Sequence, residues 1–485
     1  MEAEFRTARP LRRDRAPDGG RLRPVERRRA LRISLVEGVA AQCHSTLTGL
    51  GLGGNAFTFA FALLLGASDV GLGLIAACPQ VAMVSQIGSA WLARRFRERK
   101  GLVTWCSGFA RMLFVVFPFL PFLMPPETAL AVFIALWALA NVALNVAGNA
   151  WTAWMCDLVP RPIRGRYMSG RAAAAGLAGL VVFLAAGFAL DAWAGSPPGA
   201  SPEADARRLA GFIPVFLVSG LTAVASAWLL LRQPEPLPAS PAAIPGGLGG
   251  SLRAPFSVGP FRRLVLFFAV FSAVNGLGNP FWTPYTLEDL GADYSFLTVL
   301  GAVGGLGGLL TLRPWGRLAD RFGSRPILVL VVVVTAVHPV YYLIASRGFL
   351  APLYLDAVSS GVMWGGFNLA IFNLLLTVAP REGREMFYAV FASLAGLAMG
   401  ASSILSGVIV EHLPVLQGMG RTWNGREIVF ASVVVLRLAC VPLALRLQEP
   451  RSGSVRFVAL SIFQMFRGRL TPGGIFPAPR PRSAS

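Results

Sequence analysis

Gly316-Arg317-Leu318-Ala319-Asp320-Arg321-Phe322-Gly323-Ser324-Arg325-Pro326 lies between two long apolar runs and decides how the chain is read. An acid, three arginines and two glycines in so short a link are costly to place near lipid. They suit a tight turn that joins two membrane helices at an aqueous face. A degenerate copy, Ala90-Trp91-Leu92-Ala93-Arg94-Arg95-Phe96, occurs 226 residues earlier. Two copies imply two halves.

Composition defines the medium. Hydrophobic residues make up 54% of the 485, charged residues 14%, and the mean hydropathy is +0.59. A soluble domain carries roughly a quarter charged residues. The apolar residues gather in twelve runs long enough to cross a bilayer as helices. These are near 36–63, 70–92, 102–123, 129–154, 172–193, 211–231, 262–286, 295–312, 327–346, 350–378, 387–410 and 428–447. The expected fold class is therefore an all-α membrane protein of twelve helices.

The net charge of +20 invites a nucleic-acid reading, and its placement argues against one. Of 44 Lys and Arg, 37 fall in the two tails and in alternate links, against five in the links of the other side. That bias places both termini in the cytoplasm. Spread over short links, the charges form no groove for a duplex, so no nucleic-acid partner is expected. The five cysteines lie in or beside apolar spans without paired spacing, and the three histidines are scattered. No metal site, cofactor or catalytic constellation is expected, and the chain does not read as an enzyme. The basic N-terminal stretch is too long for a cleavable signal, and span 1 is expected to direct insertion.

Several landmarks recur in order. Leu65-Gly66-Ala67-Ser68-Asp69 returns as Leu290-Gly291-Ala292-Asp293-Tyr294, Trp137 and Asn141 as Trp364 and Asn368, and Pro160-Arg161 as Pro380-Arg381. The organisation read from this is a basic, disordered tail over 1–32, a six-helix half over 33–232, a linker over 233–260, and a second half over 261–447. The tail 448–485 contains an apolar stretch, Val455–Phe466, expected to lie on the membrane surface.

The loop Gly316–Pro326 resembles the signature loop of the major facilitator superfamily of transporters, and the resemblance extends over about 410 residues, from span 1 to span 12. The resemblance implies two six-helix halves that rock about a central cavity. It implies that Asp320 locks one state across the half-interface near the start of span 11. A carboxylate is favoured at a helix N-terminus and beside arginines. Gly316, Asp320, Arg321, Gly323 and Arg325 form this expected lock. In the first half Arg94 replaces the aspartate, so Asp157 at the end of span 4 is expected to pair with Arg94 or Arg95. The alternative is that these charges only hold the loops at the aqueous face.

Solute binding needs polar groups facing the cavity. The candidates are Asn55 in span 1, Arg111 in span 3, Trp137, Asn141 and Asn145 in span 4, and Asn275, Asn279 and Trp282 in span 7. His338 in span 9 and Trp364 and Asn368 in span 10 complete the set. Asn149 extends the four-residue spacing of span 4, which places its asparagines along one helical face. Pro280 and Pro284 are expected to break span 7. The competing reading is interhelical hydrogen bonding. Glu37, Asp191, Glu288, Asp356 and Glu411 fall near span ends, and none is read as a proton carrier. The glycines of Gly301–Gly308 lack a preceding strand and serve helix packing.

The reading is a monomeric, multi-pass secondary transporter of the cell (inner or plasma) membrane that moves a small organic solute. A coupling proton or other ion is a family default that these residues do not specify. The rival reading is a transporter-like receptor or assembly factor without turnover.

Overall fold

The computed structural model describes residues 23–89, 99–194, 202–236, 247–380, 384–418, 420–449 and 452–453. The chain is a multi-pass helical membrane protein. Among the described residues, eleven helices are long and apolar enough to cross a membrane. Spans 2–6 of the sequence correspond to α3 (Asp69–Ser89), α4 (Arg99–Leu123), α5 (Pro126–Leu158), α6 (Arg164–Ala194) and α7 (Pro202–Arg232). A short α8 (Gly247–Ser257) precedes α9 (Gly259–Asp289), α10 (Tyr294–Phe322), α11 (Ser324–Ile344), α12 (Ala351–Val378) and α13 (Arg384–His412). A two-stranded hairpin, β1 (Leu416–Gly418) and β2 (Arg421–Trp423), leads to α14 (Gly425–Leu445).

Span 1 is different: it is two helices, α1 (Pro24–Thr48) and α2 (Ala56–Leu64), separated by Gly49-Leu50-Gly51-Leu52-Gly53-Gly54-Asn55. Gly49, Gly51, Gly53 and Gly54 all have φ between +73° and +90°. Side chains rarely adopt that left-handed conformation, so this run of glycines ends the helix where a uniform apolar span is expected.

Two other expectations need correction. Residues 24–32 of the tail read as disordered are helical, because Pro24 starts α1 and Glu26 accepts from the Arg23 N–H at 2.9 Å. The linker 233–260 is not wholly irregular, since α8 lies within it. The surface stretch 455–466 lies outside the described residues.

Each half has an apolar core, and that of the first also takes in Leu287 and Tyr294 of the second. In the first, Phe133, Phe212 and Phe216 pack edge-on or tilted around Phe61, and Phe114 meets Trp137 edge-on. In the second, α10 lies against α12, and α9 against α13. The halves meet along two seams, α3 on α13 and α6 on α10. Glycine sets these approaches: a Cβ on Gly73 would meet the Ser403 carbonyl at 2.6 Å, and one on Gly407 the Asp69 carbonyl at 2.5 Å.

Some local features occur in both halves. Gly66 and Gly291 both turn with positive φ just before α3 and α10. Glu235 accepts from the Arg99 and Lys100 N–H groups at the start of α4, both at 2.9 Å. Glu449 does the same for Ser324 and Arg325 at the start of α11, at 2.9 and 2.7 Å. A carboxylate is favoured at that end of a helix dipole.

A side chain at Gly361 would run into the Gly304 backbone where α12 crosses α10, whereas Gly305 faces open space. Gly361→Val should lower stability by about 1–3 kcal/mol. Gly305→Val should not, and thermal melts of the two purified variants in detergent test this.

Candidate functional site

The break in span 1 is held at both ends by side chains. Asn55 Oδ1 accepts from the Phe57 and Thr58 N–H groups at 3.1 Å, and its Nδ2 donates to the Thr46 carbonyl at 2.6 Å. Thr58 Oγ1 donates to the Thr48 carbonyl at 2.7 Å. Asn55 is thus engaged as the N-cap of α2, which answers orphan donors that would be costly inside a bilayer.

Inside the break the chain faces other helices. A Cβ on Gly51 would touch Leu144 of α5, and one on Gly53 would meet Gln80 Nε2 of α3. Helix α2 packs on Trp282–Pro284 of the opposite half. Gly51 and Leu52 are exposed. The break therefore lies beside the half-interface, next to α3 and α5.

From there an amide ladder joins α5 to α3. Trp137 is fully buried and donates to the Ile75 carbonyl at 3.0 Å, while buried Asn141 donates to the Trp137 carbonyl at 2.9 Å. Asn145 donates to the Asn141 carbonyl at 3.0 Å and accepts from Gln86 at 3.1 Å. Asn149 donates to Ser89 Oγ at 2.5 Å and to the Gln86 carbonyl at 3.3 Å. Trp137 and Asn141 belong to the packed interior, and Asn145 and Asn149 are half-buried. Gln80 is half-buried with no side-chain hydrogen bond among the described residues.

The second half has a counterpart break. Helix α9 is interrupted at Asn279–Phe281 and resumes with a π-helical turn over Tyr285–Asp289. The Asn279 Nδ2 is buried and lacks a hydrogen-bond partner among the described residues. Trp282 stacks flat on Phe430, with centroids 4.4 Å apart, so its face is covered by α14. Trp364 is half-buried against Phe271 and Phe367, and Asn368 is exposed.

The remaining candidates sit in buried charge networks. Arg111 bonds to Ser226 and lies 3.7 Å from Glu37, which also accepts from Arg171 and Ser226, both at 2.8 Å. Asn275 accepts from Arg437 at 2.7 Å, and Arg437 donates to the Thr335 carbonyl at 2.7 Å. His338 lies 3.8 Å from Asp356 and 3.2 Å from Ser359 Oγ. Glu37 and Asp356, which the sequence places near span ends, are buried inside the bundle. Pairing offsets the cost of burying these charges.

In the loop Gly316–Pro326, Gly323 turns with φ +86° and Ser324 starts α11. Gly316 faces open space. Arg325 donates to the Leu445 carbonyl at 2.5 Å, and Arg321 stands 5.1 Å from the Phe322 ring. Asp320 is exposed, without an ion pair among the described residues. Arg94 and Arg95 lie outside the described residues. Asp157 pairs with Arg99 at 2.6 Å.

The far rim carries a cluster that the sequence reading did not single out. Arg426, at the start of α14, contacts Asp69 of the first half at 2.8 Å, Glu288 at 2.7 Å and Asp289 at 2.9 Å. Asn424 Nδ2 donates to Asp289 at 2.7 Å. The signal was available: Arg426 is one of only five basic residues in the links of that side. Nearby, partial burial and then the Asp191 carboxylate push the Asp293 carboxyl above its ordinary range, against the pull of Arg208.

Residues 264–476 match the family model of the Major Facilitator Superfamily. A curated relative, an MFS-type transporter of Aspergillus terreus (strain NIH 2624 / FGSC A1156), is 31% identical over 106 residues, which is 21% of this chain and 18% of that protein. The chain thus matches less than a fifth of that relative's length. A bacterial homologue of the human lysosomal transporter Spinster, inward-facing and occupied, superposes with TM-score 0.63 at 15% identity, over 90% of this chain and 100% of that one. A mutant of the nucleoside transporter NupG gives 0.62 at 12% identity, over 87% and 100%. The inward-open xylose transporter XylE from E. coli gives 0.60 at 14%, over 90% and 99%. Residues 264–476 thus resemble the Major Facilitator Superfamily, and the chain as a whole shares the fold of these solved transporters.

Capping of α2 by Asn55 predicts that Asn55→Ala lowers stability by about 0.5–2 kcal/mol. Asn368→Ala, at an exposed amide with no hydrogen bond among the described residues, should leave the melting midpoint in place.

Proposed function

We propose that the protein is a secondary active transporter that moves a small polar organic solute by alternating access. Both termini are cytoplasmic, span 1 crosses as the broken pair α1/α2, and the protein resides in the cell membrane. The solute site is the apex of the space between the halves, formed by the glycine break, Gln80, Asn145, Asn279, Trp364 and Asn368. Amides and free main-chain groups both donate and accept, which suits a hydroxyl-bearing or amide-bearing solute. The structural neighbours include nucleoside, xylose and metal transporters, so the shared fold does not select a solute.

One observation carries the reading. The hydrogen bonds and ion pairs described between the halves run from the Arg426 cluster at the far rim to Ser393–Met83 in the α3–α13 seam. At the arginine-rich end Asp320 is exposed. This supports an inward-facing state, closed outside by Arg426 and open toward the cytoplasm.

A thermal-shift solute screen on purified protein, followed by liposome flux with and without a pH gradient, tests the activity. Arg426→Gln strands three carboxylates at the far rim, and flux of a solute found in that screen should fall roughly tenfold. Flux equal to wild type in that variant removes the gate. The internally bonded ladder would also suit a receptor without turnover. In that case Asn145→Leu with Asn368→Leu leaves function intact, whereas a transporter loses solute binding.

A further inference from the structure

We infer that Asp191 and Glu411 form a duplicated latch that closes the far rim by capping helices of the opposite half. Asp191 lies in the last turn of α6. Its two oxygens accept from the Tyr294 N–H at 3.0 Å and the Ser295 N–H at 2.7 Å, the first residues of α10. Glu411 lies at the end of α13 and accepts from the Val70 N–H at 3.2 Å, at the start of α3. The duplication relates α6 to α13 and α10 to α3, so the second contact is the first one carried over to the other seam. The capped helices both follow a left-handed glycine, Gly66 or Gly291.

The position of these acids is the argument. A carboxylate at the C-terminal end of its own helix is unfavourable, because the dipole is negative there. Each acid is compensated by the N-terminus of a helix in the other half, where the dipole is positive and N–H groups lack partners. That compensation exists only while the rim is closed. When the halves part, each acid is left with its own helix end. The contacts are unequal: Asp191 makes two bonds and is half-buried, whereas Glu411 makes one and is exposed. Around Asp191 stand Asp293 and Arg208, and Arg208 lies 5.5 Å from the Tyr294 ring. Beside Glu411 is the Arg426–Asp69 pair.

The latch rests on the alternating-access reading, and the test separates the two. Spin labels at Glu127→Cys and Gln417→Cys, exposed positions on the far rim of either half, report its opening in a Cys156→Ser background. Asp191→Asn should raise the open-to-closed ratio about tenfold, Glu411→Gln about threefold, and the pair about thirtyfold, as independent contacts multiply. Ser295→Pro removes one donor in the first helical turn without changing charge, and should act in the same direction as Asp191→Asn. It keeps the test available if Asp191→Asn does not fold. Distances unchanged in the double variant, while Arg426→Gln widens them, would overturn the latch alone. Distances unchanged in every variant, Arg426→Gln included, would overturn the opening motion and the latch with it.

Discussion

A bilayer core offers no water to main-chain amides, and that constraint organises this protein. An interruption in a membrane helix persists only where the protein answers the freed groups or where they face a cavity. The break in span 1 meets the first condition. Asn55 and Thr58 close its two ends, while Gly51 and Leu52 stay exposed between α3 and α5. The interruption of α9 at Asn279–Phe281 repeats the pattern at the equivalent place in the second half.

The same constraint sorts the charges. Within the bundle Glu37 is paired with Arg171 and Arg111, and Arg437 is hydrogen-bonded to Asn275 and Thr335. These networks tie helices together inside one half, which suits rigid bodies. Charges that bridge the halves are kept at the rim. Arg426 gathers Asp69, Glu288 and Asp289 there, partly exposed to water, where breaking the contact costs less than it would in the interior. Stiff interiors and a separable rim are what a rocking motion requires.

Seams between the halves are built from small residues instead of charges. Gly73 and Gly407 let α3 and α13 approach until backbone meets backbone. Such packing holds largely by shape, with few directional bonds beside it, among them Ser393 Oγ to the Met83 carbonyl at 3.3 Å. Helix N-termini at the far rim then add polarity where the packing ends.

Membrane class and the polar spacing of span 4 were legible because they rest on periodicity and composition, which are local. The turn at Gly323 was legible for the same reason. The glycine run Gly49–Gly54 was equally visible, yet it read as part of a continuous span, since hydropathy does not register backbone conformation. Whether an asparagine lines a cavity or bonds a neighbour was not legible at all. Asn55 caps its own helix, Asn141 binds the chain one turn back, and Asn275 receives Arg437 from 162 residues away. Sequence alone determined that these helices lie in lipid, because burying apolar surface needs no particular partner. Only the tertiary structure decided which polar groups remain free, since a hydrogen bond depends on an acceptor that another helix supplies.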